Sequence, residues 1–202
     1  MYREISYNHI VNHEASHKLY TAKDINNLLG INANTLYHWV QTRGLLKPFI
    51  VGEGRGRSHY FSVENLVTLS LIKSLYNLGI DLKDIKILIG YAFPSYAVDI
   101  VKVKYSQKTG AYSFIDKQGK DIVPELDGDI NIWQVLKGNR EVFEKNSLFF
   151  IIQKSMKGTM NVYFSPFPKS IEQGGPNKYV TTILIDLITV IKDIEEKTKE
   201  RI

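Results

Sequence analysis

Two short stretches hold the side chains best suited to chemistry. Asn34, Thr35, Tyr37, His38, Gln41 and Arg43 lie close together, each able to hydrogen bond or stack and none of them acidic. Such a set can read donors and acceptors on base edges beside a polyanionic backbone. Further on, Lys47, Arg55, Arg57, His59 and Tyr60 flank or occupy the glycine-rich run Gly52-Glu53-Gly54-Arg55-Gly56-Arg57. Glycines let a backbone approach phosphates closely, and arginines supply charge with forked donors. Between Arg43 and His59 the cations Arg43, Lys47, Arg55 and Arg57 meet a single acid, Glu53. Together with Thr21, at the start of the preceding helix, these residues form the expected DNA-binding set.

Other chemistries are poorly supplied. The chain has no cysteine, which excludes zinc fingers, iron–sulfur clusters, thiolate sensing and a cysteine nucleophile, and suits a reducing compartment. His9, His13 and His17 would align on one helix face, yet no carboxylate or cysteine at ligand spacing supports them, so the preferred reading is a solvated arm and no metal. Asp127, Asp129 and Asn131 open like a calcium loop, but Ile132 stands where glycine is needed and Gly138 where the closing glutamate belongs. The Gly-x-Gly-x-Gly run is not followed directly by a helix, so a nucleotide phosphate loop fails its context. No Ser/His/Asp set and no paired-carboxylate site occurs, and no histidine follows His59. We therefore expect no enzyme activity, no catalytic residue and no cofactor. The net charge of +5 permits a polyanionic partner without proving one. No apolar run of about 18 residues and no apolar signal core occurs, which predicts a cytoplasmic, nucleoid-associated protein with no membrane partner.

Local signals arrange the elements that position these residues. Thr21-Ala22-Lys23-Asp24 reads as a capping box; Ala22, Ile25, Leu28 and Leu29 follow at helical spacing, and Gly30 closes the helix. Asn32 caps a second helix with Ala33, Leu36 and Val40 as its inward stripe, ended by Gly44, with Tyr37 and Trp39 at its flanks either as stacking residues or as core aromatics. Two short helices on a tight turn make a helix-turn-helix, whose second helix enters the major groove. Phe49-Ile50-Val51 and His59-Tyr60-Phe61 read as the strands of a hairpin wing. Ser62 caps a helix through Leu66, Leu69, Ile72 and Leu75 to Gly79, and Asp81 starts a fourth with Leu82, Ile85, Leu88 and Ile89 inward.

This order of parts resembles the MerR family of bacterial transcription regulators over about residues 19–93. The resemblance is carried by Tyr20-Thr21-Ala22-Lys23-Asp24-Ile25, Leu29-Gly30-Ile31, Asn34-Thr35-Leu36-Tyr37-His38-Trp39, Gly44-Leu45-Leu46-Lys47-Pro48, Tyr60-Phe61-Ser62-Val63-Glu64-Asn65-Leu66 and Leu78-Gly79-Ile80-Asp81-Leu82-Lys83-Asp84-Ile85. It implies a homodimer on a partly palindromic operator in double-stranded DNA, with distortion of an over-long promoter spacer. Tyr37 and His59 stand where the family usually has arginines, and Arg55 and Arg57 are candidates to compensate.

The remainder departs from that pattern, since Pro94 breaks the chain where family members commonly continue into a long dimerising helix. The predicted class is α+β. A leader arm (1–18) precedes the winged helix-turn-helix (19–93), a β-rich effector or interaction domain follows (95–178), and a C-terminal amphipathic helix (179–202) is a candidate for dimerisation. Strands are expected within residues 98–123 and at Ser147–Gln153 and Met160–Phe164. Short helices or turns are expected at Asn131–Val135 and Glu141–Lys145, and a loop at Ser165–Asn177. Tyr105, Tyr112, Phe114, Trp133, Phe149, Phe150, Tyr163 and Phe164 either line an effector pocket or, preferably, pack as core. From Tyr179 to Arg201 the stripe Ile183, Leu184, Leu187, Ile188, Ile191 and Ile194 suggests a helix that dimerises or packs on its own chain. The leading function is a sequence-specific DNA-binding transcriptional regulator that takes a small-molecule or protein effector through residues 95–178. The alternatives are an excisionase-like architectural protein of phage or plasmid origin and an autoregulatory antitoxin or interaction protein.

Overall fold

The computed structural model describes residues 18–52, 58–93, 100–108, 111–116, 118–122, 132–158, 160–165 and 179–201. The leader histidines, the wing tip with Arg55 and Arg57, the calcium-like run and the loop expected up to Asn177 lie outside them. The architecture is α+β, as expected. In chain order it comprises α1 (Ala22–Leu29), α2 (Ala33–Tyr37, prolonged by a π-helical turn His38–Thr42), α3 (Val63–Asn77) and α4 (Leu82–Ala92). There follow β1 (Ile100–Ser106), β2 (Ala111–Asp116), β3 (Asp121–Ile122), α5 (Ile132–Asn146), β4 (Phe149–Ser155), β5 (Met160–Ser165), β6 (Tyr179–Asp186) and α6 (Leu187–Thr198).

Helix α3 organises the first half. Val63, Leu66, Val67, Leu69, Leu71, Ile72 and Leu75 are all buried, so apolar residues occupy more than one face and the helix must be covered from several directions. It touches α1, α4 and α6. Its start is fixed by Ser62, whose hydroxyl accepts from the Asn65 N–H at 3.3 Å, while Asn65 Oδ1 accepts from the Ser62 N–H at 3.2 Å. That reciprocal pair satisfies two otherwise orphaned donors.

The second half holds two antiparallel sheets, β1-β2-β3 and β5-β4-β6. In the latter, Phe150, Ile151, Ile152 and Gln153 of the central strand β4 are buried in succession, as expected of a strand covered on both faces. Helix α5 lies against β1. Its backbone is non-helical at Asn139, a kink that divides it into two helical pieces, in keeping with the two short elements expected at Asn131–Val135 and Glu141–Lys145. Trp133 of α5 stacks on Phe93 at the end of α4, with ring centroids 5.1 Å apart. Arg140 grips both carboxylate oxygens of Glu195 in α6, at 2.5 and 2.6 Å. Of the aromatics considered as a pocket lining, Phe150 is wholly buried.

The C-terminal segment corrects a sequence-based expectation. Tyr179–Asp186, expected to be helical, is strand β6, paired with β4 through Ile185↔Phe150, Leu184↔Ile151 and Ile183↔Ile152. The run Val180-Thr181-Thr182-Ile183 explains this, because β-branched side chains are stiff at χ1 and suit a pleated surface. Asp186 then caps α6, its Oδ1 accepting from the Ile188 and Thr189 N–H groups at 3.0 and 3.2 Å. Leu187, Ile188, Ile191 and Ile194 are buried in the same core as α3. The stripe considered for dimerisation is therefore used within the chain. Two smaller corrections concern the head. Ala33 is exposed, and the inward face of the second helix is Leu36, Trp39 and Val40. The wing strands reduce, among the described residues, to one bridge between Ile50 and Tyr60, since Phe61 turns away to pair with Tyr20.

Because α6 belongs to this shared core, Ile191→Ala, at a side chain only 1% exposed, should cost about 2–5 kcal/mol in urea unfolding. The loss should appear in the signal of buried Trp39 as well as in total helicity. Loss of helicity with an unshifted Trp39 transition would contradict a shared core.

Candidate nucleic-acid interface

The interface is built on two capped helices and the turn between them. The Thr21 hydroxyl accepts from the Asp24 N–H at 3.3 Å, and Asp24 Oδ2 accepts from the Thr21 N–H and hydroxyl, each at 2.8 Å. The Thr21 backbone N–H, and after it the hydroxyl, hold the Asp24 carboxyl below the usual carboxylate range. Gly30 takes the left-handed conformation, φ 63°, that ends α1. Lys73 from α3 donates to the freed Leu29 carbonyl at 2.5 Å. Asn32 Oδ1 then accepts from the Thr35 N–H at 2.9 Å and opens α2.

Past Tyr37 the helix widens. The Arg43 N–H reaches the His38 carbonyl, five residues back, at 2.9 Å, and such π-turns often mark functional sites. With this wider turn, consecutive Trp39 and Val40 both reach the core, and Trp39 meets Tyr76 of α3 edge-on at 5.7 Å. Asn34, Tyr37, Gln41 and Arg43 remain exposed, while Thr35 and His38 are half-buried. Arg43 Nε donates to His38 Nε2 at 3.2 Å, so the neutral His38 ring carries its proton on Nδ1. Lys86 from α4 donates to the Arg43 carbonyl at 3.1 Å and secures the end of the turn.

His59 fastens the wing base to this helix. Its Nδ1 accepts from the Gly52 N–H at 3.0 Å, which places the neutral ring's proton on Nε2, where it meets the Gln41 carboxamide. Asn65 Nδ2 reaches the Lys47 carbonyl at 3.4 Å and ties the approach to the wing onto α3. Lys47 is exposed and Tyr60 is 39% exposed. The structure thus gathers Asn34, Thr35, Tyr37, His38, Gln41 and Arg43 on or just beyond one helix, with His59 against it, and Thr21 at the start of the bracing helix. Sequence reasoning missed Lys73, Lys86 and Asn65 as positioning residues, since each acts on a carbonyl far away in the chain and carries no local signal.

A family model described as MerR HTH family regulatory protein matches residues 17–91. Residues 17–91 are a MerR-type helix-turn-helix domain. The match ends within α4, so the MerR-type head accounts for the interface just described and leaves the sheets and α6 beyond it. The family is one of DNA-binding regulators, not of enzymes. No curated protein matches the chain. Among the described residues no helix is long and apolar enough to cross a membrane.

In this head Thr21→Ala should cost about 1 kcal/mol through loss of the cap. It should also release the Asp24 carboxyl toward its ordinary range. A lowered carboxyl contributes stability that is present above the unfolded-state value and lost as pH falls through the folded-state value. The gap between wild type and variant in urea midpoint should therefore narrow on acidification through the carboxylate range. A gap independent of pH would show that Asp24 takes no part in the cap.

Proposed function

We propose that this protein is a sequence-specific, double-stranded-DNA-binding transcriptional regulator of MerR type, acting in the cytoplasm as a homodimer. The observation that carries this reading is the rim of acid-free polar side chains on α2 and its π-turn, joined to the wing base through Gln41, His59 and Gly52. Asn34, Thr35, Tyr37, His38 and Gln41 read base edges in the major groove. Thr21, Arg43, Lys47, Tyr60, Arg55 and Arg57 take phosphates, with Arg55 and Arg57 reaching the adjacent backbone or minor groove from the wing tip. His59 orients the wing instead of contributing a permanent charge. The dimer surface lies outside the α6 stripe, which the chain buries itself. Residues 95–178 receive a small-molecule or protein effector. Support for transmission to the head comes from the Trp133–Phe93 stack and the Arg140–Glu195 pair, which join α5 to α4 and α6.

Selection of bound fragments from random duplexes by the full-length protein, followed by footprinting, tests the reading. It should yield one partly palindromic footprint of fixed half-site spacing. Arg55→Ala/Arg57→Ala should weaken binding to all duplexes and lower the log affinity against log salt slope by about 0.9 per lost phosphate contact. His38→Ala should instead change the preferred bases. An unchanged slope in the double variant would remove the wing from the interface, and retention of random duplexes without enrichment would sink sequence-specific recognition.

A further inference from the structure

The chain's last turn is docked at the entrance of the helix-turn-helix. Glu200, just beyond α6, accepts from the Lys18 N–H at 3.2 Å through Oε1 and from the Tyr20 hydroxyl at 2.5 Å through Oε2. Tyr20 is 2% exposed, and its own N–H and carbonyl pair with Phe61 at 2.9 Å each. The donor Tyr20 therefore sits on a rigid part of the head. Burial first, and the Glu200 hydrogen bond second, push the Tyr20 phenol well above the usual tyrosine range, as expected for a neutral donor held against a carboxylate. Between these partners lies a cleft of about 230 Å³ whose lining includes Lys18, Tyr20, Asp24, Asn27, Lys197 and Thr198.

This docking sets charges beside the start of α1. Lys199 ends α6 in the left-handed conformation, φ 59°, its N–H donating to the Glu195 carbonyl at 2.8 Å. Lys18, Lys23, Lys199 and Arg201 are exposed, and neither Lys199 nor Arg201 forms an ion pair among the described residues. The nearby carboxylates are largely occupied: Asp24 by Thr21, Glu200 by Lys18 and Tyr20, and Asp193 by Lys197 at 2.7 Å, which leaves Glu196 as an exposed acid. In a helix-turn-helix the first helix crosses the phosphate backbone next to the groove that the second helix enters. The start of α1 is thus the part of the head where added cations meet phosphates.

We propose that Lys199 and Arg201, held beside Lys18 by the Glu200 contacts, form a second phosphate-binding surface that extends the DNA footprint beyond the recognition helix and wing. The inference rests on the DNA-binding reading above. It gives the C-terminal helix a part in binding that MerR-type residues 17–91 do not contain.

The test uses the full-length protein and a selected duplex with long flanks, read by fluorescence anisotropy across a salt series. Lys199→Ala/Arg201→Ala should lower the log–log salt slope by up to about two units, at about 0.9 per phosphate contact, with an unchanged thermal midpoint. Trimming the flanks should remove the difference between variant and wild type. Lys154→Ala/Lys157→Ala, which removes two exposed cations at the β4–β5 turn, controls for net charge and should leave the slope unaltered. A slope in Lys199→Ala/Arg201→Ala equal to that of wild type, or an equal drop in the β4–β5 control, would overturn the second surface while leaving the interface of α2 and the wing intact. Failure of the wild-type protein to bind any duplex would overturn both readings.

Discussion

The fold depends on the burial of one helix that carries apolar residues on more than one face. Leu66, Val67, Leu69, Ile72 and Leu75 of α3 are 0% exposed, and a single amphipathic neighbour covers only one stripe of such a helix. Helices α1 and α4 cover part of it, and α6 arrives from the far end of the chain to cover more. The head is therefore not closed until the last helix has packed. This constraint links the β-rich half to the DNA-facing half more firmly than a linker would, because β6 leads directly into α6 through the Asp186 cap.

A second layer of organisation comes from cations placed on helix ends. Gly30 and Gly44 adopt positive φ, the conformation that ends a helix and leaves carbonyls without partners. Lys73 takes the Leu29 carbonyl and Lys86 takes that of Arg43. A positive charge at a helix C-terminus also complements the helix dipole. Both lysines are thus committed to carbonyls at helix ends, Lys73 in a part-buried bond and Lys86 in an exposed one. The overall net charge of +5 conveys none of this.

His59 stands at a place where the resemblance to the MerR family would put an arginine. An arginine at that place would bring a fixed charge and several donors. The imidazole instead accepts from Gly52 with one nitrogen and faces Gln41 with the other. Position and register of the wing base thus draw on the Gly52–His59 hydrogen bond and the contact of His59 with Gln41. Charge is left to residues further along the wing.

What the sequence determined by itself was whatever short-range chemistry dictates. The Thr21–Asp24 box, the Asn32 and Ser62 caps and the closing glycines were legible because each acts within a few residues, and they bound the four helices of the head. The candidate site was legible as residue types in order, but not as a surface. The inward place of Trp39, the π-turn and the His59 bridge depend on partners remote in sequence. By spacing alone the C-terminal stripe suits one helix through Ile183, Leu184, Leu187 and Ile188, whereas pairing with β4 makes its first half a strand. Only the tertiary structure could choose α3 as the partner of α6, since an apolar stripe specifies that it must be covered and not by what.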